Sequence, residues 1–165
     1  MEVIYLAMEE VKNPLLEEMK EVGRRLKEKG YVTETYGNIS VRYGKRMIIT
    51  ASNSDLGNLG NDDFVEVVDY NPATNIAMVI GTKKPSRETP MHWLLYSRDD
   101  INAIIHTHKI FDGAPTTEEE KPAGSLELAF EALKTIGSNK LINLKNHGSI
   151  AVGSTLREAM EVIDC

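Results

Sequence analysis

Between residues 38 and 81 four short runs follow one another, "NISVRY", "RMIIT", "FVEVVDY" and "IAMVIG", the last two separated by the turn-rich "NPATN". Short runs rich in branched residues and bounded by Gly, Asn and Pro read as strands. The connections among them are brief, while elsewhere helices and strands intermix. A mixed sheet covered by helices accommodates both facts.

The covering helices are legible from their spacing. In "NPLLEEMKEVGRRLKEKG", Leu15, Leu16, Met19, Val22 and Leu26 recur on one face. Asn13 suits the cap, Pro14 the first turn and Gly30 the stop. "MHWLLYSR" reads as a second helix. "SLELAFEALKTIG" is a third, with Ser125 as cap and Gly137 as stop, and "STLREAMEVID" is the last. Further strands are expected in "INAIIHTH" and on both sides of "KNHG" in "LINLKNHGSIAVG". The Pro- and Gly-bearing "KIFDGAPTTEEEKPAG" reads as a loop. There is no repeat and no linker, so one domain is expected over residues 1–165.

With 165 residues, 41% apolar, the chain is long enough for a real core. Its net charge of −6 argues against a general nucleic-acid or anionic-membrane surface and leaves room for a local basic pocket. The N-terminus is acidic where a signal peptide needs a basic start, and no apolar stretch approaches the roughly 18 residues of a bilayer span. The single cysteine, Cys165, permits no internal disulfide. A cytoplasmic protein that binds neither nucleic acid nor membrane is expected.

Four histidines carry the chemical signal. His106 and His108 close an apolar run, and alternation along a strand points both to one face. Two imidazoles so placed suit one divalent ion. They also suit ordinary core or surface roles, and H-x-H alone leaves the choice open. His147 again ends an apolar strand, before a glycine that permits a tight turn. His92, inside a helix beside Trp93, reads as a packed or hydrogen-bonded histidine. Glu88 lies in "KKPSRETP" with Ser86 and Arg87, and near a metal a glutamate can act as a general base.

At this point the segments "TYGNISVR", "MIITASNSDLGNL", "KPSRETPMHWLLYSRDDINAIIHTH", "PAGSLELAFEAL" and "LINLKNHGSIAVGSTLREAMEVID" resemble, in order, those of the class II aldolase/adducin family. The resemblance implies an α/β fold, a three-layer α/β/α sandwich on a mostly antiparallel sheet, assembled as a homotetramer with sites between subunits. It implies His106, His108 and His147 as zinc ligands, with manganese, cobalt or iron as alternatives, and Glu88 as the catalytic acid/base. Gly37, Asn38, Ser52, Asn53 and Ser86 fall on the phosphate-binding positions. Arg87 stands where the family's second serine would be, so it retunes or closes the anion site. The reaction implied is cleavage of a small phosphorylated sugar, a ketose 1-phosphate, to dihydroxyacetone phosphate and an aldehyde through an enediolate.

Two departures bear on that reaction. Family aldolases carry a tyrosine after the H-x-H, whereas residues 109–123 contain Phe111 and no tyrosine. Tyr36, Tyr43 and Tyr96 fall at other positions. The family's C-terminal tail has no counterpart in these 165 residues. Epimerisation, dehydration or decarboxylation on the same scaffold, or an adducin-like binding module without catalysis, therefore stand as alternatives.

Overall fold

The computed structural model describes residues 1–164; Cys165 lies outside the described residues. Among them are eight strands, β1 (Glu2–Ala7), β2 (Asn38–Tyr43), β3 (Arg46–Thr50), β4 (Phe64–Asn71), β5 (Ile76–Ile80), β6 (Ala103–Thr107), β7 (Leu141–Leu144) and β8 (Gly148–Gly153). The helices are α1 (Leu15–Glu28), α2 (Thr89–Leu95), α3 (Leu126–Ile136) and α4 (Leu156–Asp164). All eight strands join one sheet in the order β1-β5-β4-β3-β2-β6-β8-β7. Only β1 and β5 pair in parallel, so the sheet is mostly antiparallel, as expected.

Strand alternation sorts the core into two layers. Met47, Ile49, Ile104, Ile150 and Val152 face one side, where they meet Met91 and Leu95 of α2 and Leu128, Ala132 and Ile136 of α3. Ile39, Val41, Ile48, Ala103 and Ile105 face the other, against Leu16, Met19, Val22 and Leu26 of α1 and Leu156, Met160 and Ile163 of α4. The three-layer α/β/α sandwich is therefore a direct product of period two in the strands and period 3.6 in the helices. No described helix is long and apolar enough to cross a membrane.

Local signals act where the sequence places them. The Asn13 side chain accepts from the Leu15 N–H at 2.9 Å, and Ser125 accepts from the Leu128 N–H at 3.1 Å. Strand β1 and two short 3-10 turns, Leu56–Asn58 and Asn61–Asp63, are additions to the sequence reading.

Gly148 needs correcting. In the β7–β8 turn the left-handed residue is Asn146, with φ of 56°, and the His147 N–H closes the turn on the Leu144 carbonyl at 3.0 Å. Glycine at 148 serves a different need: a Cβ there would stand 2.1 Å from the Thr107 carbonyl oxygen. Its bare backbone lets β8 lie against the end of β6. Gly148→Ala is expected to lower the free energy of unfolding by about 1–3 kcal/mol through this overlap, read as a fall in the urea midpoint with the slope unchanged.

Candidate metal centre

His106 is the fourth residue of β6, His108 lies one residue past its end, and His147 is delivered by the β7–β8 turn. Their rings approach with centroids 4.9 to 5.5 Å apart, and one nitrogen from each falls within 4.8 Å of the others. The Nδ1–H of buried His106 donates to the Ser149 carbonyl at 3.0 Å, which leaves Nε2 as the free lone pair. Burial depresses the pKa of all three imidazoles. It holds His106 well below its usual range, takes His147 down to about 4, and lowers His108 more gently. Near neutrality all three are uncharged, the form that ligates a metal.

Glu88 caps the start of α2 and is only 4% exposed. Neither carboxylate oxygen has a hydrogen-bond partner among the described residues. Desolvation raises its pKa from the usual 4.5 to about 7, while the Gly124 amide, which makes no well-formed bond to it, and the Arg87 charge pull the other way. An orphaned buried carboxylate lining the same cleft as three neutral imidazoles is the complement of a cation. The donor set fits a divalent ion, with nitrogen ligands that favour zinc-like metals over calcium or magnesium.

These groups open onto one cleft of about 780 Å³, and all ten residues singled out in the sequence line it: Gly37, Asn38, Ser52, Asn53, Ser86, Arg87, Glu88 and the three histidines. Gly37 has φ of 88°, and a Cβ there would meet Val32 at 2.6 Å and the His106 carbonyl at 2.9 Å. Asn53 takes the left-handed backbone, φ 60°, that asparagine tolerates better than most residues. The Ser86 hydroxyl accepts from the Glu88 N–H at 3.1 Å and so sets the start of α2. Arg87 lies along Gly124, whose missing Cβ would fall 3.2 Å from its side-chain carbons.

The cleft also contains residues that the sequence leaves without a role. Tyr36 is half exposed, and its ring centroid lies 4.9 Å from that of His108. Its only signal in the sequence is adjacency to Gly37. Glu120, Lys121 and Asn146 join it, with Asn146 donating to Glu120 at 3.1 Å. Residues 109–124 return to the cleft through buried Asn143 of β7. Its side chain accepts from the Phe111 N–H at 2.9 Å and donates to the Phe111 carbonyl at 2.8 Å. Its backbone carbonyl accepts from the Thr117 N–H at 3.0 Å. His92 stays outside the metal cluster. It is fully buried between Ser40 and Asn38, and desolvation takes its pKa down to about 3, so it is neutral.

A raised carboxyl pKa means that the folded chain holds this proton more tightly than the unfolded one, so stability falls as pH rises from about 4.5 through 7. In the metal-free protein the loss is on the order of 3 kcal/mol. The difference in unfolding free energy between Glu88→Gln and wild type is expected to grow in favour of the variant across that window and level off above it. Urea titrations at several pH values measure it, and a flat difference would show that Glu88 is not desolvated.

Residues 17–114 match the family described as the class II aldolase and adducin N-terminal domain. An L-fuculose phosphate aldolase from Methanocaldococcus jannaschii is 33% identical, the match covering 82% of each chain. A methylthioribulose-1-phosphate dehydratase from Pectobacterium atrosepticum is 38% identical over 66% of this chain and 51% of its own length. Among solved structures, an L-fuculose 1-phosphate aldolase superposes with a TM-score of 0.82 at 26% identity, over 94% of this chain and 82% of that one. A sugar-phosphate aldolase from Thermotoga maritima, 20% identical with a TM-score of 0.72 over 89% of this chain and 88% of its own, shares the fold. In sequence and in fold, this chain belongs to the class II aldolase and adducin family.

Proposed function

We propose that the chain is a zinc-dependent lyase that splits the C3–C4 bond of a small ketose 1-phosphate, giving dihydroxyacetone phosphate and an aldehyde. The observation that carries this reading is the meeting, in one cleft, of three neutral imidazoles and a buried carboxylate without a partner. The L-fuculose phosphate aldolases among its relatives support the reaction class.

A divalent ion held by His106, His108 and His147 would act as a Lewis acid on the ketose oxygens and steady the negative charge that grows as the bond breaks, with coordination positions left for substrate. The chain's own residues supply the rest. Backbone N–H groups around the left-handed turns at Gly37 and Asn53, with Asn38, Ser52, Ser86 and the Arg87 cation, hold the phosphate at the rim.

Cleavage then requires two proton transfers. The C4 hydroxyl gives up a proton as it becomes the aldehyde carbonyl, and C3 receives one as it becomes the terminal CH2OH of dihydroxyacetone phosphate. Glu88 is assigned the transfer at C3. Burial brings its carboxyl close to working pH, so that it can both give and take. Tyr36, with its phenol in the cleft against His108, is assigned the transfer at the C4 oxygen, in place of the tyrosine missing after the H-x-H.

A second reading, dehydration of a ketose 1-phosphate, is favoured by the 38% identity with the dehydratase. Products separate the two: an aldehyde plus dihydroxyacetone phosphate in one case, an unbroken carbon chain that has lost water in the other.

His106→Ala and His147→Ala are expected to lose bound metal while the far-ultraviolet circular dichroism stays that of wild type; metal retained at wild-type stoichiometry would overturn the ligand assignment. With zinc bound, wild type should exchange a C3 proton of dihydroxyacetone phosphate in D2O, and Glu88→Gln should keep the metal and lose the exchange. Tyr36→Phe should keep the exchange and slow ketose 1-phosphate cleavage by at least roughly tenfold. Equal loss of both reactions in Tyr36→Phe would rule out its separate role at the C4 oxygen.

A further inference from the structure

Behind the cleft lies a buried polar chain that the proposed chemistry does not use. Ser40 of β2 sits two residues after Asn38, so the two share a face of the sheet. The Ile39 and Val41 side chains pack into the opposite layer. His92 and Tyr96 are four apart at the end of α2 and share a helical face. Where the strand face meets the helix face, the Ser40 hydroxyl lies 2.7 Å from the Tyr96 hydroxyl and 2.7 Å from His92 Nδ1, and His92 Nε2 is bonded to Asn38 Oδ1. All four residues are buried, and of them only Asn38 also lines the cleft.

We infer that Tyr96, Ser40 and His92 form a hydrogen-bond chain of fixed direction that turns the Asn38 amide with its NH2 toward the cleft, making Asn38 a dedicated donor to a phosphoryl group and His92 its positioning residue. The nature of the anion rests on the sugar-phosphate reading above; the direction of the chain does not.

Proton counting fixes the direction. The Tyr96 hydroxyl has a single proton and, among the described residues, a single partner, Ser40. If Ser40 donated to Tyr96, the phenol proton would be left unpaired in the core, at a cost of about 1–3 kcal/mol. Tyr96 therefore donates, and Arg42, 4.8 Å above its ring, favours the phenol as a donor. Ser40 accepts from Tyr96 and passes its own proton to His92 Nδ1. A neutral imidazole then carries its one N–H at Nε2, which donates to Asn38 Oδ1. The acceptor end of the amide is thus engaged inward, and what remains for the cleft is a pair of N–H donors. The opposite orientation would present a lone pair to an anion.

The test uses zinc-loaded protein labelled with [15N]histidine, in which a long-range 1H–15N correlation spectrum reports the tautomer of each ring and His92→Phe identifies the His92 signal. The Nε2–H tautomer at neutral pH is expected, and the Nδ1–H tautomer would overturn the chain itself. Inorganic phosphate is the binding probe. His92→Phe should keep its zinc and bind phosphate about tenfold more weakly. Asn38→Asp, which leaves the inward acceptor in place and presents a carboxylate oxygen to the cleft, should lose phosphate binding. Should His92→Phe fail to fold, Asn38→Asp and the wild-type tautomer still decide. Phosphate bound as tightly by Asn38→Asp as by wild type would overturn the donor assignment. Zinc-loaded wild type that binds no phosphate would overturn the phosphoryl ligand, and with it the lyase reading, whatever the tautomer.

Discussion

His106 stands opposite Asn38 across one ladder and opposite Ile150 across the other. Directly opposed residues on neighbouring strands point to the same face. The pairing of β6 with β2 and β8 therefore brings the His106 imidazole and the Asn38 amide to one side of the sheet, while the turn before β8 brings in His147. A slip of one residue in either ladder would send half of these groups into the opposite layer, against α1 and α4. Ile104 and Ile105 prevent the slip, because each is fully buried on its own side of the sheet. Hydrophobic register in the middle of the sheet is thus what holds the reactive groups together, and the bare backbone of Gly148 is what lets β8 come close enough to complete the set.

One physical cause then sets the protonation of Glu88 and the three histidines. Desolvation disfavours whichever form is charged, so it pushes Glu88 up and His106, His108 and His147 down. The result is a pocket that carries little charge by itself although four ionisable side chains meet in it. Such a pocket is poorly satisfied alone and well satisfied by a cation. The Arg87 charge at the rim leaves the outer part of the cleft suited to an anion instead, so the two ends of the cleft have opposite electrostatic preferences.

Much of this architecture was legible in the sequence because it depends on local periodicity. The alternation in "NISVRY" and "RMIIT", the helical spacing from Leu15 to Leu26, and the caps at Asn13 and Ser125 all carry their own physics. What escaped depends on partners distant in the chain. Strand β1 completes its pairing only with β5, some seventy residues later, and nothing within "EVIYLA" names that neighbour. Gly148 is visible as a glycine, but its need comes from Thr107 on another strand. Tyr36 is one residue from a recognisable Gly-Asn pair, yet its place over His108 depends on how the loop before β2 folds back across the end of β6. His92 reads as a packed histidine and is one; that its two bonds run in a defined direction follows only once Ser40 and Tyr96 are seen at either end.

The anchoring of residues 109–124 has a consequence for how a cleft of this kind changes over time. Glu120, Lys121, Pro122 and Ala123 line the cleft, and their segment is fastened mainly to β7 and the turn after it, through Phe111 and Thr117 to Asn143 and through Glu120 to Asn146, with Lys109 at its start bonded to Thr107 at the end of β6. Most of this wall is thus held by contacts other than those that hold β6, the strand from which His106 projects. Substitutions in the wall can reshape the cleft while His106, His108 and Glu88 keep their places. A scaffold built this way can change what its cleft admits in small steps, each of which leaves the cluster of histidines intact.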